Sequence, residues 1–486
     1  MGKRNSEGSK SRTKRRLNTL KGNRRDSTCF YCEGSKVKVL QRFGLPESCG
    51  AYNCHDVSGF LYNTDIFSSC FNKFPGCFLV ALISRAIYNR NVCSAGWSIL
   101  SGRPLSGGRM ESVMKLLKIL IKNETVLCVA FILAVLSAFM VHPDAAYLAY
   151  LDYRTIALLF CLMIIVAGFQ SIGIFAMLGH FLLKGAGSVR GLSAIMVLLC
   201  FFSSMVITND VTLITFVPFT ILVFRMSGKV EQILRLVVLE TIAANLGSMA
   251  TPIGNPQNLY LYSVSGLTVA EFARAVLPYA GLAFVMLLAV VLIGRDEPLL
   301  DVVVKERSER TGGEIFRQTI PFLILLLLCL LVVFRVLPYQ PVLICVMVVV
   351  LLVDRKLYLS VDYFLLLTFL CFFIFIGNMK RIPAVSDFLI SVVQGRELLT
   401  GILASQVISN VPAAILLSGF STDFSALLTG VNLGGLGTLI ASLASLISFK
   451  FFTREYPNRK GAFMKSFTAW NVMFLLVLTL AALVLE

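Results

Sequence analysis

Long runs of apolar residues, separated by short polar stretches, make up most of the chain after residue 110. A helix needs about 20 such residues to cross a bilayer, and barrel strands would alternate apolar with polar residues, which these runs do not. The pattern predicts an all-α polytopic membrane protein with about 9–11 transmembrane helices. The apolar runs fall at approximately 124–141, 155–178, 191–224, 231–264, 276–294, 318–337, 339–353, 357–377, 397–420, 433–453 and 466–485.

The run at 191–224 is interrupted in its middle by Thr208, Asn209 and Asp210. Arginines stand directly before and after this run. Because short cytoplasmic loops collect basic residues, both ends of the run are expected on the cytoplasmic side. Its two legs are short for full crossings. We therefore predict a re-entrant hairpin that opens inward and carries the three polar residues at its tip; two short full spans are the alternative.

A second interrupted run, 397–420, has legs of about eleven residues on either side of Ser409 and Asn410, too short to cross the membrane twice. Lys115 and Lys122 place the start of the first span in the cytoplasm. Counting spans from there puts both ends of the second run on the outer side. The sequence thus predicts a second re-entrant hairpin, which opens outward.

Two pairs of segments repeat along the chain in the same order. The sequence "VITNDVTLI" (206–214) matches "VISNVPAAI" (407–415), and "NLGSMATPIGN" (245–255) matches "NLGGLGTLIAS" (432–442). With hairpins that face opposite sides, this pattern is typical of an inverted-topology repeat, which in many secondary transporters forms a midplane site. The predicted domains are a first repeat at 110–300, a cytoplasmic linker at 301–317 and a second, inverted repeat at 318–486.

The segment 245–258, "NLGSMATPIGNPQN", combines glycines, prolines and amides in an apolar setting. Pro252 and Pro256 remove backbone donors, and Gly247 and Gly254 permit unusual backbone angles, so a broken helix is expected here. Irregular backbone survives at membrane depth only where protein or a cavity shields it. Freed carbonyls are oxygen ligands for Na⁺, and half-helix N-termini attract anions.

We accordingly expect one midplane site formed by both hairpins and both broken helices. The predicted substrate-binding residues are Thr208, Asn209, Asn255, Ser409, Asn410, Thr438 and Ser442, and the predicted ion-coupling residues are Asp210, Asn245, Gly247, Thr251, Asn432 and Gly434. Na⁺ is a candidate ligand of Asn209, Asn245, Asn410 and Asn432. Single threonines in membrane helices often bond only to their own helix, so the prediction depends on the motifs recurring in matched order. An intramembrane acid such as Asp210 is by default functional, whereas Glu240 fits either the interior or a membrane end.

Charge is distributed unevenly along the chain, whose formal net charge is +17. Residues 1–109 hold 18 Lys and Arg against 6 Asp and Glu, together with seven of the 13 cysteines. The spacing of Cys29, Cys32, Cys49 and Cys54 fits no usual zinc pattern, and disulfides are not expected in a basic cytoplasmic tail. We predict a polar extension that is disordered or dispensable, with an upstream reading-frame artefact as one explanation. Nucleic-acid binding is not expected, because aromatic residues are sparse among the basic ones.

The motifs "TNDVTLITFVPF", "AANLGSMATPIGNPQNL" and "SNVPAAILL" resemble the ion transporter superfamily, which includes citrate transporters, divalent anion:sodium symporters, arsenite permeases and one class of sodium/proton antiporters. The resemblance covers roughly residues 115–486. It implies a homodimer whose scaffold helices hold a mobile, elevator-like transport domain. In the symporter branch both tips have Ser-Asn-Thr, whereas this chain has Asp210 and Val411 at the third positions. That difference weakens dicarboxylate specificity and makes the first tip more similar to the arsenite permease branch, where a carboxylate can carry a proton.

The sequence therefore predicts a secondary active transporter of a small anion, carboxylate-like or an inorganic oxyanion, coupled to Na⁺ or H⁺ and using no cofactor. A sodium/proton antiporter or an arsenite efflux permease on the same fold is the alternative. We expect an integral protein of the cell (inner or plasma) membrane with a cytoplasmic N-terminus. An enzyme is not expected, because no metal-ligand cluster, serine elbow or phosphate loop occurs in the sequence.

Overall fold

The computed structural model describes residues 30–33, 36–39, 52–53, 124–174, 177, 187–293, 296–298 and 312–485. The chain divides into two compact units, Met1–Arg109 and Met110–Glu486. Most of the predicted extension 1–109, the start of the first repeat at Met110 and most of the predicted linker 301–317 lie outside the described residues. The cysteines considered for zinc, Cys29, Cys49 and Cys54, lie outside them as well.

Three short strands are described in the first unit. They are β1 (Phe30–Glu33), β2 (Lys36–Val39) and β3 (Tyr52–Asn53). All neighbouring strands are antiparallel, in the order β1-β2-β3, with Phe30 opposite Val39 and Lys36 opposite Asn53.

The described part of the second unit is helical apart from an isolated bridge between Ser188 and Pro298. Its α-helices are α1 (Thr125–Met140), α2 (Tyr153–Ile172), α3 (Val189–Ile207), α4 (Asn209–Met226), α5 (Val230–Ser248), α6 (Pro256–Ser265), α7 (Val269–Leu292), α8 (Gly312–Val333), α9 (Tyr339–Asp354), α10 (Tyr363–Lys380), α11 (Pro383–Val393), α12 (Glu397–Ile408), α13 (Asn410–Ser418), α14 (Phe424–Leu433), α15 (Leu443–Glu455) and α16 (Lys460–Leu485). Short 3-10 turns cover Ala145–Tyr150, Arg355–Ser360 and Pro457–Arg459.

Within the described residues, seven helices are long and apolar enough to cross a membrane, or eight if the bent pair α11 and α12 is counted as one span. The seven are α2, α3, α4, α7, α8, α10 and α16. The prediction of 9–11 spans is higher because it counted every apolar run, and several of these runs form shorter helices. The runs near 124–141 and 339–353, for example, give helices of 16 residues each. The prediction of a helical polytopic membrane protein is confirmed.

Local sequence explains where several helices begin. Asp152 accepts a hydrogen bond from the amide of Thr155 at the start of α2, and Asp362 does the same for Leu365 at the start of α10. Thr268 and Glu271 form a reciprocal capping box at the start of α7. These side chains satisfy amides that the first helical turn leaves without a partner.

The outer surface of the helices is apolar, which is the reverse of a water-soluble fold. Phe139, Leu352, Val407 and Val484 are between 73% and 83% exposed. Such side chains are stable on a surface only when lipid tails surround it. Together with the apolar helix lengths, this surface shows an integral membrane protein.

Two groups of helices hold the residues that the repeated motifs predict for the site. In one group α5 packs on α3 and α4, and α4 also packs on α15. In the other, α12 packs on α13 and α14, and α13 also packs on α6. The ends of α4, α5, α6, α13, α14 and α15 therefore meet in the interior of the second unit.

Candidate functional site

Each of the two predicted tips is a single residue between two helices. Thr208 separates α3 from α4 with φ 71° and ψ 152°, and Ser409 separates α12 from α13 with φ 73° and ψ 153°. A positive φ is rare for residues other than glycine and costs on the order of 1–3 kcal/mol. The two tips thus share one strained backbone conformation, which the surrounding contacts must hold in place.

The two predicted breaks are also present. Residues 249–255 separate α5 from α6, and residues 434–442 separate α14 from α15. At Gly254, an added Cβ would lie 2.1 Å from the carbonyl oxygen of Ser248, so only glycine fits this turn. Gly437 adopts φ 96° in the second break.

Equivalent hydrogen bonds tie each tip to its break. The amide of Asn209 donates to the carbonyl of Gly254 at 3.2 Å, and the amide of Asn410 donates to the carbonyl of Ala441 at 2.9 Å. These four residues occupy matching positions in the two pairs of repeated motifs. The repeated sequence therefore forms the same backbone contact twice.

The predicted threonines make a second equivalent pair of bonds. The Thr251 hydroxyl donates to the carbonyl of Met205 at 2.5 Å, and the Thr438 hydroxyl donates to that of Gln406 at 3.2 Å. Met205 and Gln406 also occupy matching positions, each three residues before the tip. Both threonines thus attach a break to the last turn of the helix before a tip, although Thr438 itself is exposed.

A third set of hydrogen bonds joins the two halves of the chain. Asn255 Nδ2 donates to Asn432 Oδ1 at 3.1 Å, and Ser442 Oγ donates to Asn245 Oδ1 at 3.0 Å. Asn255 and Ser442 are the N-cap residues of α6 and α15, and Asn245 and Asn432 lie near the ends of α5 and α14. The motif residues of each half therefore bond to those of the other half.

Two further bonds complete this reciprocal arrangement. Asn432 Nδ2 donates to Asn258 Oδ1 at 2.6 Å, and Asn245 Nδ2 donates to Ser445 Oγ at 3.4 Å. All of these side chains are at most 4% exposed. We call the six residues of these four bonds the amide cluster: Asn245, Asn255, Asn258, Asn432, Ser442 and Ser445.

The carboxamides of the two tip asparagines are used differently. Asn209 Nδ2 donates to Asn245 Oδ1 at 3.1 Å, and Asn209 Oδ1 accepts from the amide of Asp210 at 3.0 Å. The carboxamide of Asn410, although only 4% exposed, makes no hydrogen bond to any described residue. The first tip is thus attached to the amide cluster, whereas the second tip has a carboxamide available for a ligand.

Asp210 lies in the first turn of α4 and is half-buried. Its carboxylate has no hydrogen-bond partner among the described residues, and the charged group that acts on it electrostatically is another acid, Asp362. Two acids near one another favour the uptake of a cation or a proton. Ser409, at the other tip, is 1% exposed and donates to the carbonyl of Ala441 at 3.3 Å.

The two predicted glycines of the Asn-Leu-Gly motifs permit close helix packing. A Cβ added at Gly247 would lie 2.1 Å from the carbonyl oxygen of Phe201 on α3. A Cβ at Gly434 would lie 2.7 Å from the side chain of Ser405 on α12. These glycines allow each broken segment to approach the helix before a tip, so the part they play in the structure is packing.

The site is amide-rich and shielded from solvent, with hydrogen-bond donors suited to an oxyanion and oxygens suited to Na⁺. The carboxamide oxygens of Asn209, Asn245, Asn255 and Asn432 already accept hydrogen bonds within the protein. A carboxamide oxygen has two lone pairs, so one donor leaves room for a cation, whereas Asn245 Oδ1 already accepts from both Asn209 and Ser442. Among the residues described, no group of three or more His, Cys, Asp and Glu side chains is placed to hold a metal ion.

Three residues of this region are not predicted by the repeated motifs. Asn258 and Ser445 complete the amide cluster, and Gln406 Nε2 donates to the carbonyls of Gly434 and Leu436 at 2.8 and 2.9 Å. Asn258 and Ser445 each lie three residues after a motif N-cap, and this matched spacing is the signal that could have identified them.

Comparison with known proteins gives a consistent result. The profile of the citrate transporter family matches residues 116–425. An uncharacterized transporter of Methanocaldococcus jannaschii is 30% identical over 328 residues, which cover 67% of this chain and 88% of that protein. The inner membrane protein YbiR of Escherichia coli is 35% identical over 322 residues, 65% of this chain and 84% of that protein. A silicon efflux transporter of Oryza sativa is 30% identical over 159 residues, 32% of each chain.

Proposed function

This chain belongs to the citrate transporter family, which confirms the resemblance to the ion transporter superfamily, and we propose that it is a secondary active transporter of a small anion. The family is one of citrate transporters, and the relative from Methanocaldococcus jannaschii is also named a transporter. The proposed cargo is a carboxylate-like anion or an inorganic oxyanion, moved together with Na⁺ or H⁺.

The reciprocal bonding of the amide cluster is the observation that carries this proposal. Buried amides bonded across two halves of a membrane protein define an enclosed polar region within apolar surroundings. An internal repeat that faces opposite sides of the membrane forms such a region in many secondary transporters. We propose that the two halves are inverted-topology repeats and that α3–α4 and α12–α13 are re-entrant hairpins.

The helix lengths support this topology more strongly for the second hairpin than for the first. Helices α12 and α13 have 12 and 9 residues, or about 18 and 14 Å at 1.5 Å per residue, which is too short to cross a bilayer. Helices α3 and α4 have 19 and 18 residues, close to the length of a span. Two full crossings therefore remain the alternative for the first pair.

In the proposed site, the carboxamide of Asn410 and the carboxylate of Asp210 are the groups closest to the cargo and the coupling ion. Backbone amides and the Ser409 hydroxyl at the tips would contact the anion, and loosely held carbonyls at the breaks would contact Na⁺. Movement of the hairpins as a body gives an elevator type of alternating access. A homodimer in the inner or plasma membrane, with its N-terminus in the cytoplasm, completes the proposal.

Efflux of an uncharged or weakly acidic oxyanion, such as arsenite, is the second candidate function. It is favoured by the acid at the first tip, Asp210, which could exchange a proton, and by the partial similarity to a silicon efflux transporter. A sodium/proton antiporter would instead show Na⁺-dependent pH changes in everted vesicles without any added anion.

A thermal-shift screen of the purified protein tests the class of cargo. Citrate, sulfate, phosphate and arsenite are added singly, with and without Na⁺, because a ligand stabilises the state that it binds. We expect at least one anion to raise the unfolding temperature. If none of these anions and no combination with Na⁺ does so, the anion-transport proposal fails.

The coupling role of Asp210 is tested by Asp210→Asn. Uptake of the anion identified in the screen should lose its dependence on the Na⁺ or proton gradient, because the variant cannot gain or lose charge at the tip. The matched control is Asp387→Asn, which removes an exposed carboxylate on α11. Ion dependence that is the same in wild type and Asp210→Asn would refute the coupling role.

A further inference from the structure

Glu240 is an acid in the interior of the second unit, away from the tips and outside the amide cluster. It lies on α5, five residues before Asn245, and is 0% exposed. Its Oε1 accepts a hydrogen bond from the hydroxyl of Thr220 on α4, which is also 0% exposed. Its Oε2 is buried and has no hydrogen-bond partner in the part of the chain that the structure describes.

No positive charge compensates this acid within the described residues. Glu240 takes part in no salt bridge there, and the helices packed on α5 are α3, α4, α7, α14, α15 and α16. Their buried titratable side chains are Cys200 on α3 and Tyr279 on α7, and neither is a cation. Cys200 is the group of this set that interacts with Glu240 electrostatically.

The charged groups of these helices lie at the protein surface or are partly exposed. Helix α14 has no charged residue, and Glu231 and Arg235 are on α5 itself. The others are Arg190 on α3, Asp210 and Arg225 on α4, Glu271 and Arg274 on α7, Lys450, Arg454 and Glu455 on α15, and Lys460 and Lys465 on α16.

An ionised carboxylate in this position would have one hydroxyl donor and no counter-ion. Burial of such a charge is strongly unfavourable, and a carboxyl group then becomes neutral by binding a proton. The neutral form needs no counter-ion, and Oε1 can still accept the bond from Thr220. The geometry therefore matches a carboxylic acid rather than a carboxylate.

We propose that Glu240 is a proton-binding site of this transporter, which holds its proton while α4 and α5 are packed as in this structure and exchanges it with water when they separate. Uptake of the proton turns a hydronium ion into water and the carboxylate into an acid, and release is the reverse. This inference rests on the proposed transport function and extends it, because it assigns a bound proton to the contact between α4 and α5.

The location of Glu240 connects it to the candidate site. Thr220 and Asn209 are both on α4, and Glu240 and Asn245 are both on α5. Five residues of helix correspond to about 7.5 Å along the axis of α5. A displacement of α4 relative to α5 would thus change both the Asn209–Asn245 bond and the surroundings of Glu240.

Infrared difference spectroscopy of the purified full-length protein tests the proposal without a transported substrate. In the wild-type spectrum at neutral pH, the carbonyl-stretch band of a protonated carboxyl group should be present, and Glu240→Gln should remove it. After transfer to D₂O, this band should shift within minutes, because the proton exchanges with solvent. Asp387→Asn is the control, which removes an exposed carboxylate on α11 and should leave the band in place.

Thr220→Val keeps the test informative if Glu240→Gln does not fold. The band should remain in this variant at a higher frequency, because the carboxyl group has lost its hydrogen-bond donor. Absence of the band in wild type would show that Glu240 is ionised, and a band that does not shift in D₂O would show a sealed structural proton. Either result overturns the proposal, and neither depends on whether any anion is transported.

Discussion

At the level of single residues, the main contrast in the site is between two asparagines at matching positions. Asn209 uses both ends of its carboxamide within the protein, and Asn410 uses neither with any described residue. Both are 4% exposed, so burial alone does not distinguish them. A buried amide without a partner costs free energy, which a polar ligand would recover.

Alanine substitutions at these two positions should separate structure from binding. Asn209→Ala removes a bond to Asn245 and should lower the free energy of unfolding by about 1 kcal/mol more than Asn410→Ala, which breaks no side-chain hydrogen bond to a described residue. Both variants should impair uptake. The measurements are thermal unfolding and uptake of the anion found by screening.

The result for stability and the result for uptake are independent checks. Equal losses of stability would contradict the difference in hydrogen bonding between the two tips. Full uptake by the double variant would show that the tips do not form the site.

Most residues of the two tips and of the amide cluster could be predicted from the sequence, because they recur in matched motifs. Asn209 and Asn410, like Asn245 and Asn432, were predicted from their neighbours rather than from their own chemistry. Asn258 was missed because an amide in the first turn of a helix is a common local feature. Its bond to Asn432 depends on the fold of the distant half, which local sequence does not encode.

At the level of helices, the contact between α3 and α5 depends on the absence of a side chain at Gly247. The carbonyl oxygen of Phe201 occupies the space that a Cβ would need, at 2.1 Å. This oxygen belongs to the backbone and cannot rotate away. The two helices therefore have to separate if any larger residue is introduced.

Gly247→Ala should reduce the free energy of unfolding by about 1–3 kcal/mol, because overpacking displaces the backbone. Gly281→Ala on α7 is the control, since no atom lies within 4 Å of its added Cβ. That control should be neutral or stabilising by up to about 1 kcal/mol, as alanine is the better helix former. Thermal unfolding of the two variants measures the difference, and equal midpoints would contradict the close approach.

Helix boundaries at the first tip were predicted well, and helix lengths less so. Thr208 is the single residue between α3 and α4, as expected from the polar interruption. The helices begin at Val189 and end at Met226, beyond the apolar run 191–224, because Ser188 caps α3 and the last turn of α4 includes Arg225. A prediction from runs of apolar residues leaves out the polar residues that form the ends of a helix.

At the level of the whole molecule, the basic extension and the membrane body are separate units. The family profile begins at residue 116, within the second unit. We therefore expect that protein expressed from Met110 inserts into the membrane and transports the same anion at a similar rate. Uptake in vesicles, normalised to the amount of inserted protein, measures this, and loss of transport by the shortened protein would show that residues 1–109 are required.

The sequence was sufficient to predict a helical membrane protein, from its apolar runs, and the family, from its four motifs. It gave more spans than the seven or eight candidates found among the described residues, since runs such as 339–353 are apolar but form a helix of only 16 residues. Orientation depends on basic residues, and several of these, such as Arg225 with Glu455 at 2.8 Å, are engaged in ion pairs.

The reciprocal bonds of the amide cluster have a consequence for how the chain is assembled. Asn245 accepts a hydrogen bond from Ser442, which is synthesised much later than Asn245. Asn432 accepts one from Asn255, which is synthesised much earlier than Asn432. The first half therefore cannot make the bonds to Asn432 and Ser442 until the second half has been synthesised. The first half must therefore wait in the bilayer, incompletely folded, and two genes that encode the halves separately should yield stable protein only when expressed together.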